Sequence, residues 1–202
     1  MYNLIISICW FIFFSVWFFF SRTAKKTLDD TNPDDRALTR LIMAIAVIRF
    51  LTIHFTYRPL ADYPVFPRTP VFQSIGCVMC AAGVAFAIWA RTHLGRNWGM
   101  PMSVKEKPDL ITTGPYRRIR HPIYTGILLA MFSCLVTAGF MWLIWLLLYG
   151  GYFLYSAKKE ENRMVQLFPD EYGEYRKQTG MFLPFVGYIF LFVSYASSQT
   201  DS

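Results

Sequence analysis

The chain has 202 residues, of which 54% are hydrophobic and 18% are aromatic, and its mean hydropathy is +0.32. This composition excludes an ordinary soluble globular domain and indicates an integral membrane protein. The net charge of +7 raises the question of a nucleic-acid partner, but basic loops on the cytoplasmic side of a membrane explain the same excess. We therefore expect membrane lipids as partners and no nucleic acid.

Apolar stretches predict an all-α, multi-pass membrane bundle of about five transmembrane helices. Three of them are the stretches 4–20, 37–57 and 71–89, and the other two are the arms of a helical hairpin at about 122–156. A cleaved signal peptide is the rival interpretation of the first stretch, although it lacks a basic region at its start. Each hairpin arm has about sixteen residues, which is short for a full crossing. A last apolar stretch at 182–196 is too short to count as a span.

The chain divides into two predicted parts. Residues 1–69 contain the first two helices and a proline-containing connector, and residues 70–202 contain the polar motifs and are predicted to be the catalytic core. Two polar residues lie inside the second span. Arg49 is expected to be paired or to face a cavity, and His54 is expected to be structural.

Small residues in the third span favour close packing against another helix. Gly76 and Gly83, together with Cys80 and Ala87, lie on related helical faces. Cys77 and Cys80 have the spacing of a CxxC motif, but no second pair or histidine cluster accompanies them. We therefore interpret these cysteines as packing residues and expect no metal site.

The distribution of Lys and Arg predicts the orientation in the membrane. The segments 21–37, 91–122 and 157–180 contain four, seven and five basic residues, whereas the alternate segments 1–3, 58–69 and 138–140 contain none, two and none. The positive-inside rule therefore places the three basic segments in the cytoplasm. The membrane is either the bacterial inner membrane or the eukaryotic endoplasmic reticulum.

Polar residues concentrate at both ends of the hairpin. The stretch 113–126 contains Arg117, Arg118, Arg120, His121 and two tyrosines directly before the first arm. Beyond the second arm lie Glu160, Glu161, Tyr172 and Tyr175. Because both flanks belong to one hairpin, we expect them to lie close together on the cytoplasmic side.

These residue types suit a pocket for a charged ligand. Carboxylates and tyrosine rings suit a cation such as a sulfonium, and arginines suit a carboxylate or a phosphate. The arginines, the glutamates and the tyrosines also have simpler interpretations that involve no ligand. Arg117 and Arg118 also fit as membrane anchors, the glutamates as surface partners of nearby basic residues, and the tyrosines as an interfacial belt.

Residues 70–185 resemble the isoprenylcysteine carboxyl methyltransferase family, which is similar in its motifs to membrane phospholipid N-methyltransferases. The matching motifs are Leu94-Gly95-Arg96-Asn97-Trp98, then Leu110 with Thr113-Gly114-Pro115-Tyr116, then Arg120-His121-Pro122-Ile123-Tyr124-Thr125-Gly126, and finally Glu160-Glu161, Met164, Phe168, Tyr172, Tyr175 and Leu183-Pro184. The set of motifs is specific, although residues 1–69 contain none of it.

The resemblance implies an enzyme that uses S-adenosylmethionine, bound in the cytoplasmic half of a helical bundle, to methylate a lipophilic molecule from the bilayer. It implies cofactor contacts from Leu110, Thr113, Gly114, Pro115, Tyr116, His121, Tyr124, Glu160 and Glu161. It implies substrate contacts from Trp98, Arg120, Tyr172, Tyr175 and Arg176, and catalytic roles for Arg120, Glu160 and Glu161. Arg120 is expected to hold a substrate carboxylate.

One departure concerns the acceptor. The eukaryotic carboxyl methyltransferases look to have a Lys-Lys-Arg run after the second tyrosine, where this chain has Arg176-Lys177-Gln178. The departure argues against a prenylcysteine carboxylate as acceptor but leaves methyl transfer intact. Two other functions remain open: an NADPH-dependent membrane reductase of the sterol type, whose arginines would bind phosphates, and a scaffold that binds anionic lipids.

Overall fold

The structure is a computed structural model that describes residues 1–21, 27–28, 33–52, 63–99, 101–105 and 109–184. Its helices are α1 (Tyr2–Ser21), α2 (Pro33–Thr52), α3 (Pro70–Leu94), α4 (Pro122–Ala138), α5 (Met141–Leu167) and α6 (Pro169–Gln178), with 3₁₀ turns at Gly95–Asn97 and Gly114–Arg117. His54, the Arg49 side chain and residues 185–196 lie outside the described part.

Proline residues begin four of these helices, because a missing N–H is harmless in the first turn. Pro33 opens α2 and is followed by Asp34 and Asp35, whose charges suit the helix N-terminus. At α3, Thr69 caps the helix and its Oγ1 accepts a hydrogen bond from the amide of Phe72 at 3.5 Å.

Helix α5 is longer than the predicted hairpin arm. The sequence predicts that the second hairpin arm ends at about residue 156, but the structure has one helix of 27 residues that continues to Leu167. No proline interrupts it and its polar part is rich in Lys and Glu, which are good helix formers. Pro169 ends it at Leu167, since a residue before proline avoids the helical region. Glu160 and Glu161 therefore stand on a continuous helix.

The close helix approach predicted from the small residues of α3 is found between α3 and α4. A Cβ added to Gly83 would lie 2.7 Å from the backbone oxygen of Gly126 and 2.7 Å from the amide nitrogen of Ala130. A Cβ added to Gly126 would lie 2.6 Å from the oxygen of Gly83. Backbone therefore packs directly on backbone here, which fixes the start of α4 relative to α3.

We expect Gly83→Ala to destabilise the protein by about 1–3 kcal/mol, because the new methyl group overlaps backbone atoms that cannot rotate away. Thermal unfolding in detergent measures the change. Gly151→Ala is the matched control, since nothing lies within 4 Å of a Cβ built at Gly151 in α5. The control should be neutral or stabilising by about 0.5–1 kcal/mol. Equal unfolding temperatures for both variants would contradict a tight α3–α4 contact.

Two stretches in the described part of the chain are long and apolar enough to cross a membrane, namely Tyr2–Phe20 and Pro70–Asn97. Pro122–Ala138 is a shorter apolar helix. Away from the helices, Thr27 and Leu28 pair in antiparallel fashion with Lys105 and Val104. This pairing joins the segment between α1 and α2 to the segment that follows α3.

Side chains of α5 attach α2 to the bundle. Tyr149 donates to the carbonyl oxygen of Ile42, Tyr152 donates to Thr39, and Tyr155 and Lys159 donate to Asp35. These four residues recur every three or four positions, so they form one face of the helix. Helices α1, α2, α4 and α5 thereby surround a common space.

Candidate active site

A cavity of about 690 Å³ lies among these helices and has two chemically different ends. Its apolar end is formed by α1, α2, α4 and α5, with Trp10, Phe13, Phe14, Trp17, Ile42, Met43, Ile127, Met131, Trp142 and Trp145. Its polar end is formed by Asn97, Trp98, Ser103, Asp109, Tyr116, Arg120, His121, Tyr124, Glu160, Arg163, Tyr172 and Tyr175. The volume is typical of a pocket for a small organic ligand.

Glu160 and Asp109 are the two carboxylates on the described cavity wall, and Glu160 is the one on helix α5. Its Oε1 accepts hydrogen bonds from the Tyr124 hydroxyl at 2.7 Å and from the Met102 amide at 3.0 Å. Its Oε2 lies 3.5 Å from Nδ1 of His121. The rings of His121 and Tyr124 are parallel, with centroids 5.5 Å apart. The wall thus presents a negative charge flanked by two flat rings, an arrangement that suits a cation.

The backbone at Met102 is held in an unusual conformation beside this carboxylate. Met102 has a φ of +62° and is 1% exposed. Glu160 binds its amide, and Nη1 of Arg163 donates to its carbonyl oxygen at 3.0 Å. A positive φ is unfavourable for a residue with a side chain, and such strain concentrates at functional sites. Two side chains of α5 therefore hold the 101–103 segment against the cavity.

Glu161 faces the other way and forms a buried ion pair. Its Oε1 accepts a hydrogen bond from Nε of Arg120 at 2.7 Å, and the two side chains are 2% and 8% exposed. Nε2 of His121 lies 3.4 Å from the same oxygen. Burial by itself raises the pKa of Glu161, but the bonds and charges of His121 and Arg120 outweigh burial and lower it. Glu161 therefore stays ionised in the folded protein.

Arg120 joins the motif to the end of α6. Its Nη1 donates to the carbonyl oxygen of Thr179, and to that of Arg176 at 3.2 Å. The adjacent backbone continues this contact, because the amide of Arg120 donates to the oxygen of Gly180 at 2.9 Å and that of His121 to Met181 at 3.0 Å. The segment after α6 thus pairs with the motif and supports it from behind.

Tyr172 and Tyr175 on α6 lie on the cavity wall. The hydroxyl of Tyr175 donates to the carbonyl oxygen of Tyr116 at 2.6 Å. Burial is the main reason that the pKa of both α6 tyrosines is raised. Both hydroxyls therefore remain protonated and able to donate hydrogen bonds.

Trp98 is held in the wall from behind by Arg91. The guanidinium of Arg91 lies 4.3 Å from the Trp98 ring centroid, and Arg91 is fully buried. Its Nη1 donates to the oxygen of Gly95 at 2.9 Å, and its Nη2 to the oxygen of Phe20 at 2.8 Å. These bonds tie the end of α1 to the turn that carries Trp98.

The structure places the predicted site residues in two groups. On the cavity wall are Trp98, Leu110, Tyr116, Arg120, His121, Tyr124, Glu160, Tyr172 and Tyr175. Off the wall are Thr113, Gly114, Pro115, Glu161 and Arg176. The predicted convergence of the two hairpin flanks is confirmed by the Tyr124–Glu160 and Arg120–Glu161 contacts. The individual roles in binding and catalysis stay predictions.

Thr113 and Gly114 pack against His93 at the end of α3. Nε2 of His93 lies 2.8 Å from the Thr113 hydroxyl. Gly114 has a φ of +59°, and a Cβ there would lie 2.7–2.9 Å from the His93 ring. Glycine is therefore required both by its conformation and by the close ring. In this structure the turn positions Tyr116 on the wall.

Arg176 and Gln178 are both exposed at the end of α6. Nε of Arg176 lies 3.6 Å from Oε2 of Glu161, so its charge supports the buried carboxylate. Neither residue lines the cavity. Gln178, where the chain departs from the family pattern, therefore lies away from the cavity wall. Its identity no longer argues against an acceptor that is a carboxylate.

Several wall residues were not predicted from the sequence. They are Asn97, Ser103, Asp109 and Arg163 at the polar end, together with the aromatic residues of α1. A signal existed for Arg163, which follows Glu160 by three residues and so shares its helix face. A signal also existed for Asn97, which stands beside Trp98 in one of the matching motifs. For the others no signal existed, because their positions depend on how distant segments pack.

Comparisons with known proteins identify a family and several relatives. The phospholipid methyltransferase family matches residues 71–171, which is half of the chain. The chain is 24% identical over 152 residues to the protein-S-isoprenylcysteine O-methyltransferase of Saccharomyces cerevisiae, covering 71% of this chain and 62% of the yeast protein. It is 28% identical over 156 residues to a probable enzyme of the same name from Oryza sativa, covering 72% of this chain and 75% of the rice protein.

A third relative is named for a different acceptor. The methanethiol S-methyltransferase of a Pseudomonas species is 33% identical over 82 residues, which are 40% of this chain and 31% of that protein. The chain thus spans less than two thirds of the yeast and Pseudomonas proteins. The resemblance inferred from the motifs is confirmed by the yeast and rice relatives, and the chain belongs to the phospholipid methyltransferase family.

Proposed function

We propose that the protein is an integral membrane methyltransferase that uses S-adenosylmethionine and acts on a lipophilic or amphipathic acceptor at the cytoplasmic interface. The observation that supports this most directly is the single cavity with a charged, aromatic end and an apolar end. A water-soluble cofactor and a membrane-derived acceptor both need a site, and the reacting atoms must meet. A cavity of this kind satisfies both needs.

The residues at the polar end fit the cofactor. S-adenosylmethionine has a sulfonium and an ammonium group, an adenine ring and a carboxylate, and it supplies an electrophilic methyl group when bound. Glu160 offers a carboxylate to the cations, with its orientation set by Tyr124 and by the Met102 amide. Trp98, Tyr116 and Leu110 offer flat or apolar surface. Of the two predicted glutamates, we assign Glu160 to the cofactor and Glu161 to the support of Arg120.

The contribution of the protein to the reaction is alignment and the exclusion of water. A carboxylate or a thiolate is already an anionic nucleophile, so an acceptor of either kind needs no general base at the polar end. An amine acceptor must lose a proton, and Glu160 is one of two carboxylates on the described wall, with Asp109, that could accept it. The apolar end, with five aromatic residues of α1, suits an alkyl or isoprenoid chain.

The proposed topology has five spans with the polar end in the cytoplasm. Helix α4 has 17 residues and is about 25 Å long, slightly less than a hydrocarbon core of about 30 Å. Helix α5 would cross with its apolar part and extend its polar part, including Glu160, into the cytoplasm. The division at residue 69 separates the motifs from the first two helices. The cavity is not confined to the part after residue 69, because α1 and α2 form part of its apolar wall.

Titration of the purified protein with S-adenosylmethionine and with NADPH tests the proposal. We expect saturable binding of S-adenosylmethionine and none of NADPH. A screen with methyl-labelled cofactor against lipid extracts, prenylated thiols and small amphipathic amines, carboxylates and thiols then identifies the acceptor. Tight NADPH binding without S-adenosylmethionine binding would instead support a membrane reductase. The yeast, rice and Pseudomonas relatives are all named as methyltransferases.

A further inference from the structure

Arg163 is a cation at the polar end of the cavity that the proposed reaction does not yet use. It follows Glu160 by three residues on α5, so both side chains emerge on one face of the helix. Within the described residues its one hydrogen bond runs from Nη1 to the carbonyl oxygen of Met102, at 3.0 Å. A guanidinium has five N–H donors in a planar fork. Among the described residues, most of the Arg163 donors therefore have no hydrogen-bond acceptor at the cavity wall.

The other arginine on the wall, Arg120, is already occupied. Its charge is neutralised by Glu161 at 2.7 Å, and its Nη1 is bound to the carbonyl oxygens of Thr179 and Arg176. In contrast, no carboxylate of the described chain forms an ion pair with Arg163 within 4.0 Å. Glu160 uses its Oε1 for Tyr124 and Met102 instead. Arg163 is therefore the arginine on the cavity wall that forms no ion pair within 4.0 Å among the described residues.

The bond to Met102 also fixes where the guanidinium can point. Met102 is buried and is held with a positive φ by Glu160, so its carbonyl oxygen is a fixed acceptor. The Arg163 guanidinium donates to this oxygen through Nη1. Its remaining N–H groups are available to a planar anion. Arginine binds carboxylates in this two-pronged way more strongly than a lysine can.

We propose that Arg163 binds the carboxylate of a molecule in the cavity. This inference rests on the proposed methyltransferase function, in which two carboxylates are available: that of the methionine part of the cofactor, and that of an acidic acceptor. If the carboxylate is that of the cofactor, Glu160 and Arg163 orient one ligand by its cation and its carboxylate. If it is that of the acceptor, they hold the cofactor cation and the acceptor carboxylate side by side. Arg163 replaces Arg120 as the group expected to hold a carboxylate.

The test compares ligands with and without the carboxylate. Calorimetry measures binding of S-adenosylmethionine and of decarboxylated S-adenosylmethionine to the wild-type protein and to Arg163→Gln. A second pair of probes, N-acetyl-S-dodecylcysteine and its amide, replaces the acceptor. For the ligand that Arg163 holds, we expect the variant to bind the carboxylate form about 10- to 100-fold more weakly and the other form unchanged. The affected pair identifies the source of the carboxylate.

Two controls keep the test independent of folding. Arg117→Gln removes the same charge from an exposed residue off the wall, and it should leave all four affinities unchanged. Arg163→Lys should recover part of the preference, because it restores the charge without the fork. A general loosening of the site would weaken both members of a pair equally. Equal preferences in wild type and Arg163→Gln for both pairs would overturn the inference.

Failure of the proposed function looks different from failure of this inference. If the wild-type protein binds neither form of S-adenosylmethionine, the methyltransferase proposal is wrong and the carboxylate role falls with it. If wild type binds the cofactor but Arg163→Gln keeps every preference, the function stands and the assignment of Arg163 alone is wrong.

Discussion

Replacing Glu160 by glutamine is expected to weaken the binding of S-adenosylmethionine about 10- to 100-fold. Glutamine keeps the shape of the side chain and an oxygen that can accept from Tyr124 and from the Met102 amide, so the local structure should persist. What is lost is the negative charge that faces the cations of the cofactor. A hydrogen bond to a charged group contributes about 1.5–3 kcal/mol, which corresponds to this change in affinity. Calorimetry with the purified protein measures it.

Glu171→Gln is the matched control for the loss of charge. Glu171 lies exposed in the first turn of α6, away from the cavity wall. The control should bind the cofactor like the wild type, whereas His121→Ala, which removes a ring beside Glu160, should also bind weakly. Unchanged affinity in both Glu160→Gln and His121→Ala would contradict the assignment of the cofactor to this end of the cavity.

Local patterns were enough to predict the hairpin and the meeting of its flanks. Two apolar arms joined by Gly139 must run antiparallel, so the residues before Pro122 and those after the second arm have to meet. Small residues in α3 likewise indicated a close helix contact, and the structure has it at Gly83. These features depend on neighbours in sequence or on helical periodicity, which a single sequence displays.

Which residues of the motifs face the cavity could not be predicted from local patterns. Glu160 and Glu161 are adjacent, yet α5 turns one toward the cavity and the other toward Arg120. Which one faces inward depends on the rotation of the helix, and thus on all its contacts. The positive φ of Met102 is equally hidden, because a methionine carries no local preference for it. It follows from two bonds to residues about sixty positions away.

The bond from Arg120 to the end of α6 shows why its role was predicted differently. In the sequence, Arg120 is a cation next to a histidine at a helix mouth, which favours a role in substrate binding. In the structure its nearest partners are Glu161 and two carbonyl oxygens at the end of α6, which belong to a segment almost sixty residues further on. Contacts of this range have no local signal. They make the pair a candidate for stability as well as for chemistry.

We expect Glu161→Gln to destabilise the protein by about 3–5 kcal/mol, because it leaves the buried guanidinium of Arg120 without its counter-charge. The loss should be visible as a lower unfolding temperature in detergent. Arg120→Met combined with Glu161→Leu should be less destabilising than the two single changes added together, since the double variant leaves no unpaired charge. Glu174→Gln breaks an exposed pair with Lys177 and should change stability little.

The same pair gives stability a defined dependence on pH. The pKa of Glu161 is lowered in the folded protein, so an unfolded chain takes up its proton at a higher pH than the folded one. The contribution of the pair is therefore complete above the ordinary pKa of a glutamate and is lost as the pH falls through the lowered value. Glu161→Gln should remove this part of the acid dependence, while Glu174→Gln should keep it. If both variants follow the acid profile of the wild type, the ionised Glu161 does not hold Arg120 and the end of α6 in place.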